Sequence, residues 1–207
     1  MVWIPPQIWP NRTAFILGGG PSINNVDFSL LKDQRCIAVN NAGFLWPGID
    51  VLYFGDFKWG ARYKEQVKRT FGGLVITSCH RKLYDASGWA KKINRLRPSG
   101  IEDTPGYISW NGNSGLSAIN LAYHFGAKRI VLVGFDMRPV NGEKNFHREY
   151  VGWENTPKDI HQKYLKHIPA IAADAQKLGL EILNATPGSA ITQFKQTTIE
   201  EILCIGD

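Results

Sequence analysis

Cysteine is scarce in this chain. The three present, Cys36, Cys79 and Cys204, have neither paired nor metal-like spacing. That argues against a disulfide framework and a zinc site, and fits free thiols in a reducing, cytoplasmic setting. No apolar run approaches the roughly 20 residues needed to cross a bilayer. The first residues, MVWIPPQIWP, lack both a basic region and a long apolar stretch, so no signal peptide is expected. No serine sits in a G-x-S-x-G elbow, and no glycine run is followed by Lys-Ser or Lys-Thr as in a P-loop. Recognised nucleic-acid-binding motifs are absent too. The excess of 24 Lys and Arg over 18 Asp and Glu is scattered, as on solvated helix faces, and ranks a nucleic-acid partner below a small phosphate-bearing one.

The stretch with most character is Ala14 to Ser22, AFILGGGPS. A short apolar run bounded by glycines reads as a buried strand. Gly18, Gly19 and Gly20 allow a sharp turn and a close approach to the backbone. Pro21 suits the first turn of a helix and Ser22 follows it. Free amides at such a turn make an anion seat, so a phosphate is the expected guest. A tight turn without any ligand stays open on this stretch alone.

Further strands are expected at Arg35–Val39, Asp50–Phe54, Leu74–Thr77, Arg129–Val133 and Leu180–Leu183. Helical patterns cover 57–71, 114–125 and 157–178, the last with Pro169 as a kink or break, and a short helix closes the chain at 198–203. Residues 22–31 read as a short helix or loop, 1–12 as an irregular arm, and 81–113 are the least readable, with Lys92–Arg97 readable as a short strand among loops. Ser114 is the expected N-cap of the second helix, and 137–156 reads as a surface loop or lid. Alternating strands and helices imply an α/β, Rossmann-like, mostly parallel sheet with helices on both faces, over residues 1–207 as a single domain. Polar residues recur just after the strands: Asn40, Asp56, Ser78 to His80, Asp136, and Asn184 to Ser189, including Thr186. In open α/β sheets ligands bind outside the strands' C-terminal ends, so one shared rim is expected to be the site.

The GGGPS turn, the VNN after the second strand and the block NSGLSAINLAYHFGAKRIVLVGFDM together resemble a superfamily with three branches. These are bacterial lipooligosaccharide sialyltransferases, motility-associated flagellin glycosyltransferase-like proteins, and archaeal-type 6-hydroxymethylpterin diphosphokinases. The pattern is most similar to small phage and bacterial members of unassigned function, and covers roughly residues 14–190. The resemblance implies a nucleotide or nucleotide-sugar donor, cytidine type favoured, held by Gly18–Ser22, Asn40, Asn113, Ser114 and Gly115. It also implies a base pocket lined by Asn184 to Ser189. The acceptor would be a glycan or another hydroxyl compound, and a homo-oligomer stays open. By the same resemblance the histidine that takes the acceptor's proton lies after the Gly-x-Asp strand and before the last helix, where His147 and then His161 are the candidates. His124, inside an apolar helix, is expected to be packed.

The sialyltransferase branch needs no metal. The diphosphokinase branch needs Mg²⁺, which Asp56 and Asp136 could hold if they do not orient a ribose or sugar. Differences from the sialyltransferases are Gly19 in place of an asparagine, Gly55-Asp56 after the third strand in place of an asparagine, and Asn111 near the position of an arginine. A non-catalytic nucleotide- or nucleic-acid-binding protein is the remaining alternative.

Overall fold

The computed structural model describes residues 3–79, 88–147, 157 and 159–206. The strands are β1 (Thr13–Leu17), β2 (Arg35–Val39), β3 (Val51–Phe54), β4 (Leu74–Thr77) and β5 (Lys91–Lys92), then β6 (Asn94–Arg95), β7 (Tyr107–Ile108), β8 (Arg129–Val133), β9 (Glu181–Asn184) and β10 (Lys195–Gln196). The helices are α1 (Phe57–Thr70), α2 (Ser114–His124), α3 (Ile160–Leu165), α4 (Ile168–Lys177) and α5 (Ile199–Ile205). Eight strands make one sheet in the order β10-β9-β8-β1-β2-β3-β4-β5, and every neighbouring pair is parallel. β6 and β7 form a separate parallel pair.

The period of two along β1 explains the layering. Ala14 and Ile16 face a core shared with Leu116 and Ile119 of α2 and Ile168 and Ile171 of α4. Phe15 and Leu17 face the opposite layer, with Val131, Val133 and Ile199 and Ile202 of α5. Further along that sheet Trp59, Tyr63 and Val67 of α1 pack on Leu52 and Phe54. Both faces are covered, which is why the central strands are apolar throughout rather than alternating.

Expected and observed elements agree closely. β2, β4 and β8 stand where the pattern puts them, and the long helical pattern at 157–178 is broken into α3 and α4 at Lys166 and His167, with Pro169 in the first turn of α4. Residues 22–31 form two short 3-10 turns, Pro21–Asn25 and Phe28–Leu31. The terminal helix begins at Ile199, one residue later than expected, because Thr198 is its cap in a reciprocal capping box with Glu201. Asn113, not Ser114, caps α2, accepting from the Leu116 amide at 3.2 Å. The arm before β1 is irregular but anchored: Trp9 packs edge-on against Phe125, and its amide donates to the Phe125 carbonyl.

Within the least readable stretch, residues 81–113, the loop from Gly100 to Asn111 is held by two wholly buried asparagines. Asn120 accepts from the amides of Glu102 (2.7 Å) and Ser109 (2.9 Å) and donates to the Glu102 carbonyl. Asn111 accepts from the Gly100 amide and donates to the Gly100 carbonyl. These amides replace a regular ladder as partners for an irregular backbone. Substituting Asn120→Leu keeps the volume but strands two buried amides and a carbonyl. It is expected to cost about 3 kcal/mol in urea unfolding; an unchanged midpoint would show that the loop does not depend on it.

From β1 the chain winds one way through β2, β3, β4 and β5, then returns through α2 to β8 on the other side of β1. The reversal falls between β1 and β8, so their C-terminal ends flank the switch point.

Candidate functional site

A cleft of about 380 Å³ opens at that switch point. Its floor is Gly18 to Gly20 from the end of β1 and Gly134 to Met137 from the end of β8; Asn40 and Asn41 after β2, Asp56, and Asn113 to Gly115 form the walls. Lys144 to His147 and Ile160, His161 and Tyr164 lie across it.

The glycine turn works differently from the expected anion nest. The Gly18 amide donates to the Val133 carbonyl at 2.8 Å and the Gly20 amide to the Gly134 carbonyl at 2.9 Å. Ser22 donates its hydroxyl (2.9 Å) and its amide (3.3 Å) to Asp136 Oδ2. These groups are spent on joining two strand ends. A Cβ on Gly18 would stand 2.6 Å from the Gly134 oxygen, and one on Gly20 would collide with Asp136 Oδ2. Gly18 and Gly20 are therefore demanded by backbone packing. Gly19 alone has open space on its Cβ side.

Two oxygens of the site have no partner among the described residues. Asn40 Oδ1 and Asp136 Oδ1 are both buried and unsatisfied. Asn40 is held in a left-handed conformation (φ 53°) at the start of a 3-10 turn, Asn40–Phe44. A buried acceptor without a donor is costly, so each suits a guest that brings an N–H or O–H. Asp56 is less available than its position suggests: Oδ1 accepts from the Trp59 amide at 3.1 Å, capping α1.

At the start of α2 the Asn113 cap satisfies Leu116, one turn in, and leaves the first two amides, of Ser114 and Gly115, at the edge of the cleft. With the Ser114 hydroxyl they make a positive helix end suited to a phosphate. Gly115 is required here because a Cβ would press on the Phe135 ring and Asn113 Oδ1, each at 2.9 Å. Lys144 adds a cation to the same space.

The two candidate histidines both reach the cleft. Burial holds His161 below the usual histidine value, Lys144 presses in the same direction, and Asp136 opposes them. His147 Nδ1 lies 3.5 Å from Asn41 Nδ2. Burial pushes the Tyr164 phenol up, with Asn113 close by opposing the shift and the Asp56 charge adding to it. His124 is packed as expected, its Nε2–H donating to the Tyr107 carbonyl at 2.7 Å.

Pro21, Ser22, Thr186 and Ser189 are among the expected residues that stand outside the cleft. Pro21 and Ser22 line a neighbouring cavity, which shares Asp136, Asn145 and Phe146 with the cleft. Thr186 and Ser189 are bracing residues: Thr186 Oγ1 accepts from the Phe135 amide at 2.9 Å and the Ser189 hydroxyl donates to the Phe135 carbonyl at 2.6 Å. They hold the turn that carries Asp136 because the loop after β9 folds back over the end of β8. Ser78 is likewise buried in a network with the Tyr53 hydroxyl (2.6 Å) and Arg95 (3.0 Å). His80 of the expected rim and residues 148–156 of the expected lid lie outside the described residues. Asn41 and Tyr164 were not singled out from the sequence. Asn41 repeats the type of Asn40 next to it, and Tyr164 is one aromatic among many, so only the fold marks them. Among the described residues no group of three or more His, Cys, Asp or Glu is placed to hold a metal ion, and no helix is long and apolar enough to cross a membrane.

Two outcomes follow from this geometry. Gly20→Ala should destabilise the chain by about 2 kcal/mol through overpacking, while Gly19→Ala should leave the unfolding midpoint within error; equal effects would contradict the packing role. Burial also holds His124, His161 and His167 below the ordinary histidine value. The unfolded chain therefore takes up protons near pH 6.5 more readily than the folded one, and stability falls as pH drops from about 7 to 5. Urea midpoints across that range check the sign, and a rise on acidification would refute it.

No family model and no curated protein matches this sequence. Solved structures of one enzyme do match the fold. The sialyltransferase CstII in complex with a trisaccharide acceptor and CMP aligns with a TM-score of 0.55 over 90% of this chain and 86% of that one, at 14% identity. CstII from Campylobacter jejuni in complex with the substrate analogue CMP-3FNeuAc aligns equally well at 13% identity. The likeness is one of fold: a mostly parallel α/β sheet covered on both faces is common to this chain and to that glycosyltransferase.

Proposed function

We propose that this chain is a sialyltransferase-like glycosyltransferase that uses a cytidine nucleotide-activated sugar and a glycan or other hydroxyl acceptor. The observation that carries the reading is the cleft at the switch point. Asn40 and Asp136, each with a buried oxygen that has no partner among the described residues, line the same space as a positive helix end, a lysine and two histidines. The fold shared with an enzyme solved with CMP supports it.

In this reading Asn40 Oδ1 and Asp136 Oδ1 accept hydrogen bonds from ribose, base or sugar groups of the donor. The phosphate rests against the Ser114 hydroxyl, the Ser114 and Gly115 amides and Lys144, which stabilise the charge that develops as the nucleotide leaves. The acceptor oxygen attacks the anomeric carbon, the bond from that carbon to the phosphate oxygen breaks with its electron pair, and a cleft histidine, His147 or His161, takes the acceptor's proton. Gly19 lets the donor lie close to the turn.

Thermal melting against CMP, CDP, UDP, GDP, ADP and ATP, each with Mg²⁺ or EDTA, tests the reading. A metal-independent rise with a cytidine nucleotide is expected, worth about 2.7 kcal/mol at a hundredfold excess over Kd. His161→Ala should then keep the shift but slow transfer about a hundredfold or more. A shift with ATP that needs Mg²⁺ would instead favour a diphosphokinase with Asp56 and Asp136 at the metal, and no shift at all would leave a non-catalytic binding protein.

A further inference from the structure

The cavity beside the cleft is the larger of the two, about 680 Å³ against about 380 Å³. It lies between the Pro21–Asn25 turn, the tight turn closed by Val140 and Glu143, and the head of α5. The two spaces meet at one wall, made of Asp136, Asn145 and Phe146. Phe146 is pinned from two sides: its amide donates to the Gly19 carbonyl at 3.1 Å, and its carbonyl accepts from Asn24 Nδ2 at 3.3 Å. Asp136 is only 1% exposed. Ser22 satisfies its Oδ2, and its Oδ1 has no partner among the described residues. A hydroxyl brought to this wall supplies the missing donor.

The two spaces differ in charge. The cleft sets Lys144 and the positive end of α2 against Asp56 and Asp136. The cavity is lined by four carboxylates, of Asp27, Asp136, Glu143 and Glu200. Its one cation among the described residues is Arg138, whose Nε and Nη1 donate to the Gly188 and Pro139 carbonyls. A phosphate entering there meets repulsion. Between the charges lie the amides of Asn24, Asn25 and Asn141 and the apolar side chains of Val26, Leu30 and Ile199. Amides and carboxylates bond paired hydroxyls as donors and acceptors, and the apolar side chains suit the C–H face of a sugar ring. We infer that this cavity seats an uncharged saccharide, the acceptor, and presents its hydroxyl to the donor at the Asp136 wall. That it is the acceptor rests on the proposed transferase reading; the preference for an uncharged saccharide rests on the cavity alone. A sialylated or phosphorylated glycan brings a charge of the same sign as the lining and is rejected.

The test is saturation-transfer NMR on the full chain, with and without CMP. The probes are a panel of uncharged di- and trisaccharides and the same saccharides carrying a sialyl or phosphate group. At least one uncharged saccharide is expected to bind, about tenfold or more tightly than its charged counterpart. Asn25 is exposed at the end of its turn, so Asn25→Trp fills the cavity from its rim and should abolish the saccharide signal. The melting shift with CMP should persist in that variant. Glu200→Arg reverses one charge of the lining and should narrow the preference for uncharged saccharides; it decides alone if Asn25→Trp does not fold. The inference is overturned if no saccharide of the panel binds, if charged and uncharged ones bind alike, or if neither variant changes the binding. Loss of the CMP shift in a folded Asn25→Trp would place part of the donor in this cavity and overturn it too. Saccharide binding without any nucleotide shift would sink the transferase reading and leave the cavity's preference standing. A CMP shift without saccharide binding would do the reverse.

Discussion

The close approach of the β1 turn to the end of β8 is the constraint on which the rest depends. Amides of Gly18 and Gly20 reach the carbonyls of Val133 and Gly134, and Ser22 holds Asp136 from the same side. Any side chain at Gly18 or Gly20 would force the two strand ends apart. Because β1 and β8 are the pair between which the winding reverses, this contact defines the floor of the cleft and fixes where Asp136 lies.

A second layer of bracing keeps that floor in place. The loop after β9 folds over the Gly134–Asp136 turn through Thr186 and Ser189, and Phe135 in turn presses on Gly115 at the head of α2. Tyr164 of α3 lines the cleft opposite that helix end. On the far wall the Trp59 and Tyr63 side chains of α1 hold Asn41, and Asp56 caps that helix. The polar residues around the cleft thus divide into those spent on structure and those left for a guest. Asn40 Oδ1 and Asp136 Oδ1 have no partner among the described residues, and Ser114 and Gly115 line the cleft, which makes these the proposed binding groups.

The cleft is mixed in charge. Asp136 and Asp56 stand on one side, Lys144 and the α2 terminus on another, and His161 between influences from both. A guest with a hydroxyl-rich part and a phosphate fits such a division better than a uniformly anionic one, since the carboxylate repels a phosphate placed beside it and attracts a hydroxyl.

The apolar runs and their glycine punctuation determined the sheet, most of its strands and the rim on which the site lies, because a parallel strand covered on both faces must be apolar along its whole length. Gly18–Gly20, Asn40 and Asp136 follow strands and Asn113–Gly115 open a helix, so their place on the rim was legible from the same pattern, whereas His147 and His161 came only from the family resemblance. Tertiary structure alone decided what those residues do. Whether a glycine amide binds phosphate or a neighbouring strand, whether Thr186 and Ser189 face a base or brace Phe135, and whether Asn120 supports a loop all depend on partners outside the local sequence. The β10 edge strand and the Asn111 and Asn120 loop were illegible because a two-residue strand and irregular backbone carry no period, and the expected Lys92–Arg97 strand is split into two short pieces in β5 and β6. Local sequence encodes period and conformational freedom; it does not encode which distant group satisfies a buried donor or acceptor.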